Sequence, residues 1–156
     1  MKNFSLGLSL LLGMGFSVTG CGSSESACSG GQVACDGTCI DPIAATLPAI
    51  QSEIFVPRNC AASSCHDDSL PAASLDMSSV AASGANLVGI NSGHITESLR
   101  GAAGDSAASY LMNKLLGVGM ANGTSRMPSN EDGTVLCEAE INAIRQWIDD
   151  GAAVPE

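Results

Sequence analysis

Residues 59–68 read NCAASSCHDD. Two thiols, Cys60 and Cys65, stand four residues apart, and His66 follows the second directly. Both residue types bind soft metals and cofactors as readily as they form structure. Either the three hold something together, or Cys60 and Cys65 are simply a short disulfide with a surface histidine beside it. The rest of the chain bears on which.

The chain opens with a short basic start, an apolar run over 4–16 and then VTGC (18–21). This is the pattern of a secretory signal with a lipobox-like end, too short for a comfortable membrane-spanning helix. The reading makes 1–20 a lipoprotein signal peptide and Cys21 the lipidated residue of an exported protein. The absence of Asp after Cys21 favours the outer membrane. Residues 22–24, GSS, serve as a flexible tether. All 16 acidic residues, but only five of the six Lys and Arg, lie in 21–156, for a formal net charge of −11. Such a surface disfavours nucleic acid and anionic lipid and fits a basic protein partner or none; its simplest role is to keep an exported protein soluble.

Export changes the meaning of cysteine, because thiols outside the cytoplasm end in disulfides or on a cofactor. Besides Cys21 there are Cys28, Cys35, Cys39, Cys60, Cys65 and Cys137. That number suits three disulfides, or two disulfides and a pair of cofactor anchors. Residues 21–45 carry Cys28, Cys35 and Cys39 among Gly and Asp with no apolar period, and predict a looped, cross-linked leader. From 46 the pattern turns helical. Thr46 caps, Pro48 suits the first turn, Leu47, Ile50 and Ile54 share a face, and Pro57 ends the helix. Residues 70–94 predict mostly loop. Asp105 or Ser106 predicts the start of a helix in which Ala108, Leu111, Met112 and Leu115 share a face, closed by Gly117. A Gly-rich loop spans 117–134. The last helix runs from about Glu138 to Asp150, with Ile141, Ile144, Trp147 and Ile148 inward and Gly151 at its end. Cys137 sits at the cap position of that helix, where cysteine is a poor choice, so a disulfide is its simplest role. Two disulfides are expected among Cys28, Cys35, Cys39 and Cys137, one of them joining the leader to Cys137. No strand pattern is evident. The expectation is an all-α domain over 46–156, three to four short helices with long loops.

Long loops around few helices call for something to fill the middle. A covalently held haem would do so. It needs two thiols for its vinyl groups and a histidine just past the second, which Cys60, Cys65 and His66 supply in order. The usual attachment motif has two residues between the cysteines rather than four, but Ala61, Ala62, Ser63 and Ser64 are small enough for a wider turn. A second axial ligand would come from Met127, Met120 or His94. Residues His66, Asp67 and Asp68 also allow a weaker reading as a metal site.

The order of several segments carries a resemblance. IFVPRNCAASSCH (54–66), LDMSS (75–79), NLVGI (86–90), GDSAASYLMNKLLG (104–117), RMP (126–128) and EINAIRQWIDDGA (140–152) together resemble the cytochrome-c-like (class I c-type cytochrome) domains of exported bacterial lipoproteins. The resemblance implies a cytochrome c-like helical fold around one haem c per chain. Cys60 and Cys65 would be the thioether anchors, and His66 and Met127 the axial ligands. It implies a non-enzymatic electron carrier, lipid-anchored at the outer membrane and facing the periplasm or cell surface, that exchanges electrons with a redox partner. The alternative is a haem-free lipoprotein module of the same kind, with a Cys60–Cys65 disulfide and a structural or binding role.

Overall fold

A computed structural model describes residues 28–129 and 133–156. The expected signal segment and Cys21 lie outside the described residues. Within them, the leader is not a loop. Val33–Cys35 (β1) and Thr38–Ile40 (β2) pair antiparallel, with Val33 opposite Ile40 and Cys35 opposite Thr38. The connection is Asp36-Gly37, both at positive φ (50° and 78°). That is the two-residue hairpin turn whose twist suits the strands on either side, and Asp-Gly is a favoured sequence for it. The described residues therefore form a mixed α/β structure, one two-stranded sheet with four α-helices, and the all-α expectation is corrected. The cue lay in CDGTC, but strands of three residues are too short to show an apolar period.

The cysteines pair as expected. Cys28 bonds Cys39 across the hairpin, with Cα atoms 5.6 Å apart, and Cys35 bonds Cys137, with Cα atoms 5.3 Å apart. The second bond fixes β1 to the start of the last helix, so the cap position taken by Cys137 is a cross-link.

Helix α1, Leu47–Ile50, is capped by the Thr46 hydroxyl and runs straight into a π-helical segment, Gln51–Phe55. Its wider turn is seen in the Val56 N–H donating to the Gln51 carbonyl at 3.0 Å, and the Cys60 N–H to the Phe55 carbonyl at 2.8 Å. Leu47, Ile50 and Ile54 are fully buried, as their spacing predicts. Buried Gln51 ties this segment inward, donating to the Met77 carbonyl (2.8 Å) and accepting from the Ser83 hydroxyl (2.7 Å).

A second correction falls in 70–94. Residues Val80–Leu87 form helix α2, and the Ser79 hydroxyl accepts from the Ala82 N–H at 3.1 Å. Gly84, which disguises the helix in the sequence, faces the C-terminal tail. A Cβ there would clash with a methyl of Val154. The next stretch leaves α2 and returns beside it. The Gly89 N–H donates to the Gly101 carbonyl and the Gly101 N–H to the Leu87 carbonyl, both at 2.9 Å. Residues 88–101 are thus a closed loop whose tip carries His94.

Helix α3 starts later than expected, at Tyr110, and ends at Leu116 with Gly117 left-handed at φ 73°. Asp105 instead caps a preceding turn, accepting from the Ala108 N–H at 3.0 Å. Ala108 is exposed, while Met112 and Leu115 are buried. Helix α4, Glu138–Asp149, packs on α1, α3 and β1. Its Ile144, Trp147 and Ile148 are fully buried, each contributing roughly 1.5–3 kcal/mol relative to exposure.

An ion-pair joint fastens these parts. The Arg58 guanidinium donates through Nε and Nη2 to both carboxylate oxygens of Glu140, each at 2.7 Å, and through Nη2 to Asp36 at 2.6 Å. The Glu140 carboxylate also accepts from the Cys137 N–H at 2.9 Å. The side chains of Arg58 and Glu140 are only 17% and 6% exposed, so Glu140 above all has little water to fall back on. Removing one partner of such a pair costs about 3–5 kcal/mol, because the other is left buried and alone. Arg58→Met should lower the urea-unfolding free energy by that order, and adding Glu140→Met should restore much of it. A single-variant loss below about 1 kcal/mol would mean that the pair behaves as an exposed one. Cleaving the Cys35–Cys137 bond, which closes a 102-residue separation, should cost roughly 4–5 kcal/mol on the loop-entropy argument. Peptide mapping without reductant should recover the two pairings named here and no others among these four cysteines.

Candidate functional site

The NCAASSCH turn closes on itself. The His66 N–H donates to the Cys60 carbonyl at 3.0 Å, so the four extra residues form a ring rather than an open bulge. Within it the Cys65 N–H donates to the Ala62 carbonyl at 2.8 Å, and Asn59 takes a left-handed φ of 56° at its entrance. The chain then folds back. The Ala72 N–H donates to the Cys65 carbonyl and the Met77 N–H to the His66 carbonyl, both at 2.8 Å.

This ring borders an apolar cavity of about 400 Å³. Phe55, Leu75, Met77, Leu87, Leu111 and Leu115 supply its apolar wall, and Cys60, His66, His94 and Met127 all line it. The ring that follows the π-helical segment, the closed loop 88–101, α3 and the 118–129 loop thus converge on one space. Four of the residues expected to matter meet there from three separate segments of the chain. Cys65 and Met120 are not among the lining residues. Cys60 and Cys65 are separate thiols, so the disulfide expected of the haem-free alternative is not formed.

Backbone orients the His66 ring. Its Nδ1 lies 3.1 Å from the Ala72 carbonyl. A carbonyl can only accept, so Nδ1 carries the proton and the neutral ring keeps its lone pair on Nε2, the arrangement of metal-binding histidines. Burial lowers the pKa of His66, with the carbonyls of Ala72 and Leu75 pulling the other way. Cys60 is half-buried, and burial first, then the neighbouring Cys65 and Glu140, push its thiol up to about 11. It stays a neutral thiol at ordinary pH.

Met127 is held by α3. Its N–H donates to the Lys114 carbonyl at 2.8 Å, and the Arg126 Nε donates to the Leu115 carbonyl at 2.8 Å. The Lys114 ammonium donates to the Ser125 carbonyl. The Tyr110 hydroxyl accepts from the Ala121 N–H at 3.2 Å and lies 3.4 Å from the Thr124 hydroxyl. The RMP loop is therefore anchored along its length. His94 stands with its ring 6.3 Å from that of Tyr110, on the tip of the closed loop.

The weaker metal reading of His66, Asp67 and Asp68 finds no cluster. Asp67 is spent on its own turn, accepting from the Ser69 N–H and hydroxyl and from the Leu70 N–H. Among the described residues the close group of ligand atoms is Cys35, Cys137 and Glu140. Its two sulfurs are bonded to each other and its carboxylate is taken by Arg58, which leaves nothing for an ion.

Several lining residues had no signal in the sequence. Met77 sits in LDMSS, where it passes for core. Arg100 and Lys114 are two of only five cations in 21–156, and that scarcity was the available cue. The chain matches no protein-family model, and no curated protein or solved structure matches it.

The shifted Cys60 thiol gives a direct check on this geometry. In the haem-free chain, the rate at which Cys60 is alkylated should keep rising up to about pH 11. A plateau near pH ~8.5, the value of an ordinary thiol, would mean that Cys60 is not buried at the cavity wall.

Proposed function

We propose that this chain is a monohaem c-type electron carrier, exported and tethered through lipid at Cys21. The observation that carries the reading is the convergence of Cys60, His66 and Met127 on one apolar cavity. An attachment thiol, an imidazole with its lone pair on Nε2 and a thioether are the three groups a covalent haem of this class takes from its protein. Their chemistry fits the group, and the surrounding wall fits an apolar macrocycle. Met127 is preferred over Met120 because it lines the cavity. It is preferred over His94 because its loop is pinned to α3 on several sides. Met77 also lines the space, but its N–H bonds the His66 carbonyl, which places its backbone with His66 rather than across from it.

When bound, haem supplies a one-electron couple, and the chain's own residues do the rest. His66 is oriented by Ala72 and kept neutral by burial. The wall of Phe55, Leu75, Leu87 and Leu115 excludes water, which with ligand identity sets where the couple lies. The acidic surface favours a basic redox partner and disfavours nucleic acid. Among the described residues no helix is long and apolar enough to cross a membrane. Membrane attachment in this reading comes from Cys21, at the outer membrane. No bond-breaking chemistry is assigned.

Co-expression with haem-maturation factors should give protein that keeps a haem peroxidase stain after denaturation. Because Cys60 lines the cavity and Cys65 does not, Cys60→Ala should abolish the stain and Cys65→Ala should only weaken it. An unstained wild-type chain, under conditions that mature a control cytochrome, would overturn the reading. In stained, oxidised protein, Met127→Ala should remove the weak far-red sulfur-to-iron band and lower the potential. His94→Ala and Met120→Ala should leave the band in place. Loss of low-spin character in His94→Ala alone would make the site bis-histidine.

A further inference from the structure

The charge pattern of the cavity runs against that of the chain. Residues 21–156 carry 16 carboxylates and five cations. Yet the described residues lining the cavity include two of the five cations, Arg100 and Lys114, and no Asp or Glu. Nor, among the described residues, does either cation meet a carboxylate elsewhere. Among the described residues the ion pairs are those of Arg58.

Arg100 is partly buried and reaches three backbone carbonyls, those of Ala73 (2.6 Å), Asn86 (3.0 Å) and Ser74 (3.3 Å). Burial lowers its pKa, the sign of a cation short of compensation. A guanidinium has five N–H groups, so these contacts leave two to give. Neutral carbonyls orient the group without cancelling its charge. Ala73 and Ser74 both take left-handed φ values, 56° and 52°, and both offer their carbonyls to it. Lys114 gives one of its three donors to Ser125. Each charge is thus held in place by backbone at the edge of an apolar space. A partly desolvated cation is stabilised by an anion within hydrogen-bond reach. No carboxylate among the described residues lines this wall, which leaves room there for the anion of a ligand.

We propose that Arg100 and Lys114 make the cavity selective for an amphiphilic carboxylate, an apolar body whose acid groups they receive. With the occupant of the haem reading, on which this assignment rests for its identity, the acid groups are the two propionates. Their capture by charge does not require the thioether bonds or the axial ligands. Cys60 and the two cations would then fix which edge of the macrocycle enters first.

The test uses the full-length chain, purified without haem maturation, and metal-free protoporphyrin IX as the probe, read by quenching of Trp147 fluorescence. Removing iron takes His66 and Met127 ligation out of the measurement. The diacid should bind about tenfold or more tighter than its dimethyl ester, the worth of a charge-assisted hydrogen bond. Lys114→Met and Arg100→Met should each reduce that preference severalfold. Arg100→Lys keeps the charge and should retain part of it, which separates loss of charge from loss of the Ala73–Ser74 clamp. Circular dichroism identifies any variant that fails to fold, and Lys114→Met then stands as the deciding variant. Equal binding of diacid and diester, no binding of either, or an unchanged ratio in Lys114→Met would each overturn the proposal. A long-chain fatty acid against its methyl ester forms a second arm. If the haem stain fails while the acid preference persists in either arm, the haem reading falls and the anion-selective cavity stands.

Discussion

The Arg58–Glu140 pair is the constraint on which the rest of the structure hangs. Arg58 lies two residues before Cys60, Glu140 lies in the first turn of α4, and Asp36 lies at the tip of the leader hairpin. The Cys35–Cys137 bond runs beside them, with the Arg58 Nη2 3.8 Å from the Cys35 sulfur. Three segments that are remote in sequence are therefore locked at one point, by a covalent bond and a largely buried ion pair. Glu140 and then Asp36 raise the Arg58 pKa above its ordinary value and keep the guanidinium firmly charged. A buried pair of this kind is weak evidence of net stability. Its value here is positional, because the residue it fixes leads directly into the Cys60–His66 ring.

From that fixed point the site is assembled by loops, yet these loops are not loose. The ring closes through the His66 N–H and the Cys60 carbonyl, loop 88–101 closes through Gly89 and Gly101, and 118–129 is stitched to α3 by Tyr110, Lys114 and Arg126. Each is a short circuit of backbone hydrogen bonds around the cavity. Their side chains can stay apolar toward the inside because the polar backbone is satisfied within each loop or against a helix. No buried side-chain nitrogen or oxygen among the described residues lacks a partner. The cavity is thus a feature of a satisfied structure and not a packing failure.

Helical faces read well from the sequence. Leu47, Ile50 and Ile54, and then Ile141, Ile144, Trp147 and Ile148, repeat at the helical period and are all buried. The pairing of the four outer cysteines was also legible in part. A cysteine at a helix cap serves that position badly, so Cys137 had to answer to another thiol. The hairpin and α2 were less legible for one physical reason, which is that glycine and short length erase periodicity. Asp36-Gly37 did announce a turn, but three-residue strands offer nothing to alternate. Gly84 looked like a helix breaker and is a notch for Val154.

Residue type and local spacing are properties of the chain alone, and they determined the helical faces, the attachment-like order of Cys60, Cys65 and His66, and the excess of acid over base. Tertiary structure alone decided which of the candidate ligands share a space. Met127 and His94 line the cavity with His66, whereas Met120, in the same loop as Met127, does not. It alone also set Arg100 and Lys114 in that wall, with no carboxylate beside them among the described lining residues. These outcomes turn on distances between segments tens of residues apart. Such distances are fixed by the disulfide, the Arg58 joint and the packing of α3 and α4, and no local pattern encodes them.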